Sequence, residues 1–511
     1  MSYNTSVNQH SFDIIAGNTF QKNKNFLASM IATTGSIPSD KIETLNAGIV
    51  SNGKTFITEW GLISYFGRIN YGFADKYLIS VSYRRDGSSR FGKDRRWGSF
   101  PSVSAAWRIT QENFMENQDF ISNLKLRLSY GLTGRTPSGF YDAIPSIQNF
   151  NYTLGSGYGV KVVGATQGTF GNTELGWEKT KELNFGIDIG ILEGRIALVS
   201  DLYYRLTTDL LLANPIPGIN GFTTTMTNLG EVSNKGIELA LNTRNLVGAF
   251  KWETNINYSK NINRVEGLGD LTQLPLVTSS KGMWFLTEVG RPIGLFYGYK
   301  QTGVWQSKEE IAANPSFPGS KPGSIRVANM NDDQVINQLD RTILGSNMPD
   351  FEFGMTNNLS YKNFDLSVLV NGVIGFDVWN MELSYYRENR HYVTDYQWFS
   401  ASDPGNGWCP TTRDGIDPAD TDFYIEDGSY WSVRNVTLGY TIDKNLFKGN
   451  LFNSARIYIA AQGLYMHISK DFHAYNPEGL TESESDATRP GINFGSEPLN
   501  RTFTFGISLG F

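Results

Sequence analysis

Arg501-Thr-Phe-Thr-Phe-Gly-Ile-Ser-Leu-Gly-Phe511 closes the chain, and its reading governs how everything before it is read. On an extended strand Phe503, Phe505, Ile507, Leu509 and Phe511 share one face, while Thr502, Thr504, Gly506, Ser508 and Gly510 share the other. Chain ends of soluble domains are usually frayed and polar. A strand with this many large apolar groups on one side, ending on an aromatic residue, has to bury that side. The closing strand of an outer-membrane barrel does so against lipid, where helices and closed barrels alone satisfy the backbone.

Composition fits that reading. The 511 residues are many for one soluble domain and ordinary for one large barrel. Hydrophobic residues make up 40% and the mean hydropathy is -0.30. No run of about 18 apolar residues occurs, so helical membrane spans are excluded. Barrel strands turn half their residues to a polar interior and average to such values. The 32 Phe, 25 Tyr and 11 Trp suit interfacial girdles. A net charge of -6 gives no footing for nucleic acid. Cys409 is the lone cysteine, which excludes a disulfide framework or thiolate cluster and reads as an inert thiol. Met1-Ser-Tyr-Asn-Thr5 has neither the basic nor the apolar region of a secretory signal. A secreted barrel requires one, so the expectation is that the beginning of the protein lies upstream.

Period-two segments recur along the chain. Leu126, Leu128, Tyr130 and Leu132 alternate with Lys125, Arg127, Ser129 and Gly131. Leu183, Phe185, Ile187 and Ile189 alternate with Glu182, Asn184, Gly186 and Asp188. Ile237, Leu239 and Leu241, and again Phe364, Leu366, Val368 and Val370, behave alike. Charges keep to one parity, as a bilayer would impose, since a charge on the lipid face near the midplane costs about 2–4 kcal/mol. A soluble sandwich would alternate too. Connection lengths discriminate better. Ala74–Lys76, Leu192–Arg195, Asn245–Gly248 and Tyr361–Asn363 read as tight turns, between long excursions near 134–177, 207–232, 261–350, 373–430 and 466–500. Short turns on one rim and long loops on the other are the outer-membrane arrangement. The expected strands are 10–19, 62–72, 77–85, 99–109, 124–133, 178–189, 195–206, 233–243, 250–260, 351–361, 364–372, 431–440, 453–465 and 502–511. The link Gln111–Asn123 reads as partly helical. The fold class is therefore all-β, an antiparallel transmembrane β-barrel over 1–511, with the strand near 10–19 expected either at a free edge or forced against 502–511 with poor hydrogen bonding.

Tyr83-Arg-Arg-Asp-Gly-Ser-Ser-Arg-Phe-Gly92, Trp97-Gly-Ser-Phe-Pro101 and Ala106-Trp107 resemble the SusC/RagA family of TonB-dependent outer-membrane receptors. Leu124–Gly131, Trp177–Thr180, Asn228–Glu238, Pro292–Gly298 and the terminal Phe511 extend the resemblance, in the family's order, over nearly the whole chain. It implies a barrel of 22 strands around an N-terminal plug, so about 14 strands of the 22 fall here and the plug domain is absent from this chain. It further implies a cell outer membrane location and an importer energised through TonB. A SusD-like surface lipoprotein would capture the glycan or peptide substrate. Two other readings stand beside it: a soluble or surface-attached glycan-binding protein, and a non-functional truncated remnant.

Candidate sites are few. Arg84, Arg85 and Arg90 around Asp86-Gly-Ser-Ser89 suit an anion or sugar, yet a strand-to-loop turn with internal arginine pairing is favoured. Asn329, Asn331, Asp333 and Asp340 are spaced like a calcium loop, but Asn329 and Gln334 depart from its first Asp and turn Gly, and Asp340 is shorter than its Glu. Calcium is thus a candidate cofactor and a hydrogen-bonded turn the alternative. Trp379, Tyr385, Tyr386, Tyr392, Trp398 and Trp408 lie in long loops, where they would stack on sugars, pack the loops or meet a partner. Phe503, Phe505, Ile507, Leu509 and Phe511 are the candidate assembly signal. The four histidines, His10, His391, His467 and His473, are scattered, and no nucleophile elbow, Walker loop, zinc helix or dinucleotide fingerprint occurs. An enzyme is not expected.

Overall fold

The computed structural model describes the chain except residues 35–44, 46–47, 138, 156–158, 279–281, 389–398, 401, 412–419, 444–453, 481–487 and 511. Fifteen strands form one sheet in chain order, each beside its sequence neighbours. They are β1 (Ser2–Val7), β2 (His10–Thr34), β3 (Ile49–Phe73), β4 (Tyr77–Ser88), β5 (Trp97–Arg108), β6 (Ile121–Arg135), β7 (Glu178–Ile191) and β8 (Ile196–Pro215). They continue as β9 (Thr224–Val247), β10 (Phe250–Gly267), β11 (Phe351–Tyr361), β12 (Phe364–Ile374), β13 (Tyr430–Ile442), β14 (Ser454–Ile468) and β15 (Thr502–Gly510). The tight turns bend through left-handed residues: Ala74 and Asp75 at φ 52° and 57°, Leu192 and Glu193 at 53° and 56°, Lys362 at 53°. Two-residue hairpins favour this conformation because its twist matches the strands.

All fourteen expected strands are present, and two differences stand out. The strand near 10–19 is not a free edge, because β1 pairs with it from Ser2↔Ile15 to Val7↔His10 while β3 pairs its other side. Moreover β2 and β3 run to 25 residues each, so the strand regions 20–34 and 49–61 went unread. Lys22, Lys24 and Asn23 break the alternation there, and register rather than pattern holds the ribbon, with Phe26 opposite Ile57 and Leu27 opposite Phe56. The link after β5 holds short 3-10 turns at Ile109–Gln111 and Asn113–Met115, as its partly helical reading expected.

Two compact units make up the chain: Met1–Trp107, Leu128–Leu183 and Leu206–Glu231; and Arg108–Arg127, Asn184–Arg205 and Val232–Phe511. In the first, register aligns Ile14, Ile69, Val81 and Val103 across four strands, all 38–50% exposed. One residue along, Asp13, Asn70, Ser80 and Ser104 align on the opposite face, where Ser80 Oγ donates to Asn70 Oδ1 at 2.6 Å. The apolar row is flanked by aromatic rings. His10, Phe73, Tyr77 and Trp107 lie toward the tight turns, and Tyr65, Tyr83 and Trp97 toward the other rim. Trp97 and Trp107 stand ten residues apart on β5; at ~3.3 Å per residue and a tilt of ~40° that spans about 25 Å, the height of a barrel's apolar band.

The second unit repeats the scheme. Trp252, Leu359, Leu366, Leu438, Ile459 and Phe505 form one lateral row over six strands. Glu253, Asn358, Ser367, Thr437, Ala460 and Thr504 form the next, on the other face. Large side chains stay open on the first face: Leu438 is 45% exposed and Phe505 is 78% exposed. Apolar groups open to the surroundings, with polar groups hydrogen-bonded on the opposite side, invert a soluble domain. That is the arrangement a lipid solvent selects.

Val81→Lys, in the middle of the apolar row, should cost about 2–4 kcal/mol of folding into phospholipid vesicles, read from the urea midpoint. Ser104→Lys, on the neighbouring strand but on the polar face, should cost under ~1 kcal/mol. Equal losses would show that the exposed row does not face lipid.

Candidate functional site

Three of the long excursions fold together. Met283, Phe285 and Phe296 come from the first, Trp379, Met381 and Tyr424 from the second and Ile492 from the third, and all seven are at most 3% exposed. Short ladders carry them. Trp284–Leu286 pairs with Leu295–Tyr299, which pairs with Arg341–Gly345. Asp377–Asn380 pairs antiparallel with Ile425–Asp427, and Trp379 and Asn380 pair in parallel with Ile492 and Asn493. Loops of this length keep a fixed shape by acquiring a core, and here the core is shared.

On the far side of that short sheet lies a buried carboxylate. Glu426, 7% exposed, accepts from Asn380 Nδ2 at 3.0 Å and the His473 backbone N–H at 2.9 Å, and its Oε1 lies 2.9 Å from His473 Nδ1. Burial pushes Glu426 above the usual carboxylate range, against the pull of those donors. Asp377 on the same strand as Asn380 is also pushed up by burial, while Ser346 N–H donates to it at 2.8 Å. This network was not anticipated. Its members are spread over residues 380 to 473, and no local spacing marks them.

The expected site residues are placed unevenly. Trp379 is fully buried, so it has no face to offer a sugar: its loop position hid a core role. Tyr385 and Tyr386 sit in helix α1 (Met381–Glu388), while Tyr392 and Trp398 lie outside the described residues. Trp408 is 41% exposed, and its carbonyl accepts from Gln301 Nε2 at 2.6 Å. Cys409 beside it is a buried thiol whose sulfur accepts from Asn406 Nδ2 at 3.5 Å.

In the calcium-like loop the oxygens are already engaged. Asn329 Oδ1 accepts from Asp332 N–H at 2.9 Å, Asn331 Oδ1 from Asp333 N–H at 3.1 Å, and Asp333 Oδ1 from Val335 N–H at 2.9 Å. Asp340, fully buried, accepts from Met330 N–H at 2.9 Å and Asn337 N–H at 2.8 Å, the latter within a capping box. Gln334 takes φ 65° where a calcium loop has glycine. These bonds close the turn, with the candidate ligand oxygens as acceptors.

Of the arginine cluster, Arg84 donates to both Asp86 oxygens at 2.8 Å and to Ser64 Oγ at 2.8 Å. Arg90 lies between the Trp60 and Phe140 rings, 4.7 and 4.8 Å from their centroids, and donates to Pro137 O at 2.8 Å. Both fasten loops. Gly92 is needed for the same packing, since a Cβ there would meet Thr173 O at 2.0 Å. Polar-face charges of the second unit are matched likewise. Arg127 donates to Asp188 at 2.9 Å and to both Asp201 oxygens at 2.9 and 3.0 Å; Arg456 Nε donates to Asp365 at 3.0 Å; Arg434 pairs with Glu478. Phe503, Phe505, Ile507 and Leu509 are all exposed on β15, and Phe511 lies outside the described residues.

Residues 2–464 match the family described as TonB dependent receptor-like, beta-barrel. TonB-dependent receptor P3 of Formosa agariphila is 30% identical over 100% of this chain and 52% of its own length. TonB-dependent receptor SusC of Bacteroides thetaiotaomicron is 31% identical over 89% of this chain and 44% of its own. The chain thus spans about half the length of these curated relatives. The solved RagAB peptide transporter shares the fold, with a TM-score of 0.80 at 23% identity over 100% of this chain and 54% of that one.

Trp379→Ala should remove about 3–5 kcal/mol of local stability, seen as lost hydrogen-exchange protection in 283–296, 424–426 and 492–493. Trp408→Ala should leave those amides within ~1 kcal/mol. Protonated Glu426 is favoured in the folded loops, because its folded value lies above its unfolded one. Protection of these segments should therefore be greatest below about pH 4.3, the ordinary glutamate value, and fall as pH rises through the raised folded value. Glu426→Gln should flatten that slope. An unchanged slope in the Gln variant would assign the pH dependence elsewhere.

Proposed function

The chain belongs to the TonB-dependent receptor-like β-barrel family of the outer membrane, and from that premise we propose that it is the C-terminal barrel part of a SusC-like nutrient importer. The observation that carries this reading is the two-faced sheet. Apolar rows such as Trp252 to Phe505 meet lipid, and the opposite face lines a lumen with paired charges such as Arg127 with Asp188 and Asp201. In this reading the rest of a longer protein supplies further strands, toward 22, and a plug that fills the lumen. TonB, driven by the inner-membrane proton gradient, pulls on that plug.

The substrate is an oligosaccharide or peptide delivered by a SusD-like lipoprotein. The name of the RagAB peptide transporter supports the peptide alternative, and the likeness to SusC and RagAB supports a SusD-like partner. The co-folded loops give such a partner a rigid platform, with Trp408 and Tyr475 among the exposed aromatics of these excursions. The Asn329–Asp340 loop acts as a hydrogen-bonded turn, without a resident calcium ion. The row Phe503, Phe505, Ile507 and Leu509, continued by Phe511, serves as the assembly signal, since strand addition reads main-chain bonds and alternate side chains.

Cells carrying the intact protein and its lipoprotein should accumulate a fluorescent oligosaccharide or peptide from a mixed panel. Accumulation should stop when a protonophore collapses the gradient or TonB is deleted, while surface binding to the lipoprotein persists. Uptake that is indifferent to both treatments would remove the importer reading.

A further inference from the structure

Beyond the apolar band of β2–β5, the same face turns basic. Register runs Asn18, Tyr65, Arg85 and Ser99 across one row, then Phe20, Ile63, Gly87 and Trp97. Lys22 opposite Gly61 and Lys24 opposite Glu59 follow, at two-residue steps of ~6.6 Å. These rows lie at the end remote from the tight turns Asn8–Gln9 and Ala74–Lys76. That end is the outer leaflet and cell surface, because short turns face the periplasm.

Arg85 shows how the patch is built. Its neighbour Arg84 points to the polar face and is neutralised by Asp86. Arg85 points outward with its guanidinium 5.3 Å from the Trp97 ring centroid, and Tyr65 stacks on that indole at 6.3 Å. Gly87 lets Trp97 lie flat on the sheet, since a Cβ there would sit 3.0 Å from the ring. Tyr83 Oη donates to Ser99 Oγ at 2.9 Å. Among the described residues Arg85 has no ion pair. Lys22 and Lys24 are 64% and 59% exposed and share the single carboxylate of Glu59, at 3.6 and 3.2 Å. Three cations thus face one anion at the edge of a lipid-facing surface.

We propose that Arg85, within the ring of Tyr65, Tyr83 and Trp97, together with Lys22 and Lys24 above it, holds the phosphate-bearing headgroup of an outer-leaflet glycolipid. Charge complementarity selects an anion. A guanidinium pinned by its face to an indole keeps its N–H edge for a bidentate phosphate contact. Continuity with the apolar band selects a lipid over a free anion or an acidic protein, because acyl chains lie against Ile69, Val81 and Val103 directly below. The inference rests on the outer-membrane location and is independent of what the protein imports.

The test uses the folded chain in detergent with bisphosphorylated lipid A as probe, binding being read by thermophoresis and by lipid retained in native mass spectrometry. Removing one cation (Lys22→Gln, Lys24→Gln or Arg85→Gln) should weaken binding about fivefold, and Arg85→Lys should recover part of the loss. Heat-modifiable migration confirms that each variant is folded; the two lysines sit on the ribbon beyond β4 and leave the sheet intact. Lipid A stripped of phosphate should bind no better than the triple Gln variant. Equal binding by parent and triple variant, or by the stripped lipid, overturns the proposal. So does full competition by inorganic pyrophosphate, which would mark a free-anion site, or by an acidic peptide, which would mark a protein contact.

Discussion

Everything in this molecule depends on a hydrogen-bonded ladder whose register never lets an apolar side chain fall on the polar face for long. In water such a ladder would bury its apolar rows. Here they stay open, with Leu438, Phe505 and Ile507 among the exposed residues. A bilayer supplies the missing burial and also forbids unpaired backbone, so ladder and pattern are two results of one solvent. A one-residue slip of either strand would turn Leu366 or Leu438 inward and bring Ser367 or Thr437 to lipid. The tight turns fix against that slip. Their left-handed residues leave no slack, and most are Ala, Asp, Leu, Glu and Lys rather than glycine.

The loops obey the opposite rule. Beyond the band the solvent is water again, and the excursions bury their apolar groups in the ordinary way. Topology brings them together. The links β10–β11, β12–β13 and β14–β15 alternate along neighbouring strands, so all three leave from the same rim, side by side. The first keeps a small core of its own, Tyr299, Ile325, Val327 and Ile336. Pooled, Phe285, Phe296, Trp379, Tyr424 and Ile492 make a shared one. The cost is a buried Glu426, tolerable because Asn380 and His473 donate to it.

Legibility follows the same division. The ladder could be read because a period of two is local: Leu183 and Phe185 declare their face within a few residues, and the exposed side agrees. Strand ends could not, since Lys22 and Asn23 lie where the band stops and parity no longer matters. The strand Ser2–Val7 is short and polar, held by register to β2 rather than by any pattern of its own. Among site residues, Trp379 stayed open between sugar, loop packing and partner for a reason that applies to every loop aromatic here. A tryptophan between two strands carries no sign of whether its partner lies in its own loop, in another, or outside the protein. Its actual neighbours are about 90 residues upstream and over 100 downstream. The Arg84-to-Gly92 motif was legible as structure, because Asp-Gly and clustered arginines indicate a turn with internal partners. Its middle arginine escaped that description.

That exception is instructive about parity. Arg84 and Arg85 are chemically identical and adjacent, yet the pleat sends one to Asp86 and the other outward beside Trp97. On most of the outward surface a cation would be excluded by its transfer cost, which falls to roughly 0–1 kcal/mol near the interface. Arg85 stands in the row beside Tyr65 and one row short of Trp97, where that cost has nearly vanished. Four residues earlier, at Val81, the same side chain would be expelled. Thus the chain can hold a charge on its lipid side only within the last rows of the band. Those rows are also where a headgroup phosphate, rather than an acyl chain, is the nearest neighbour.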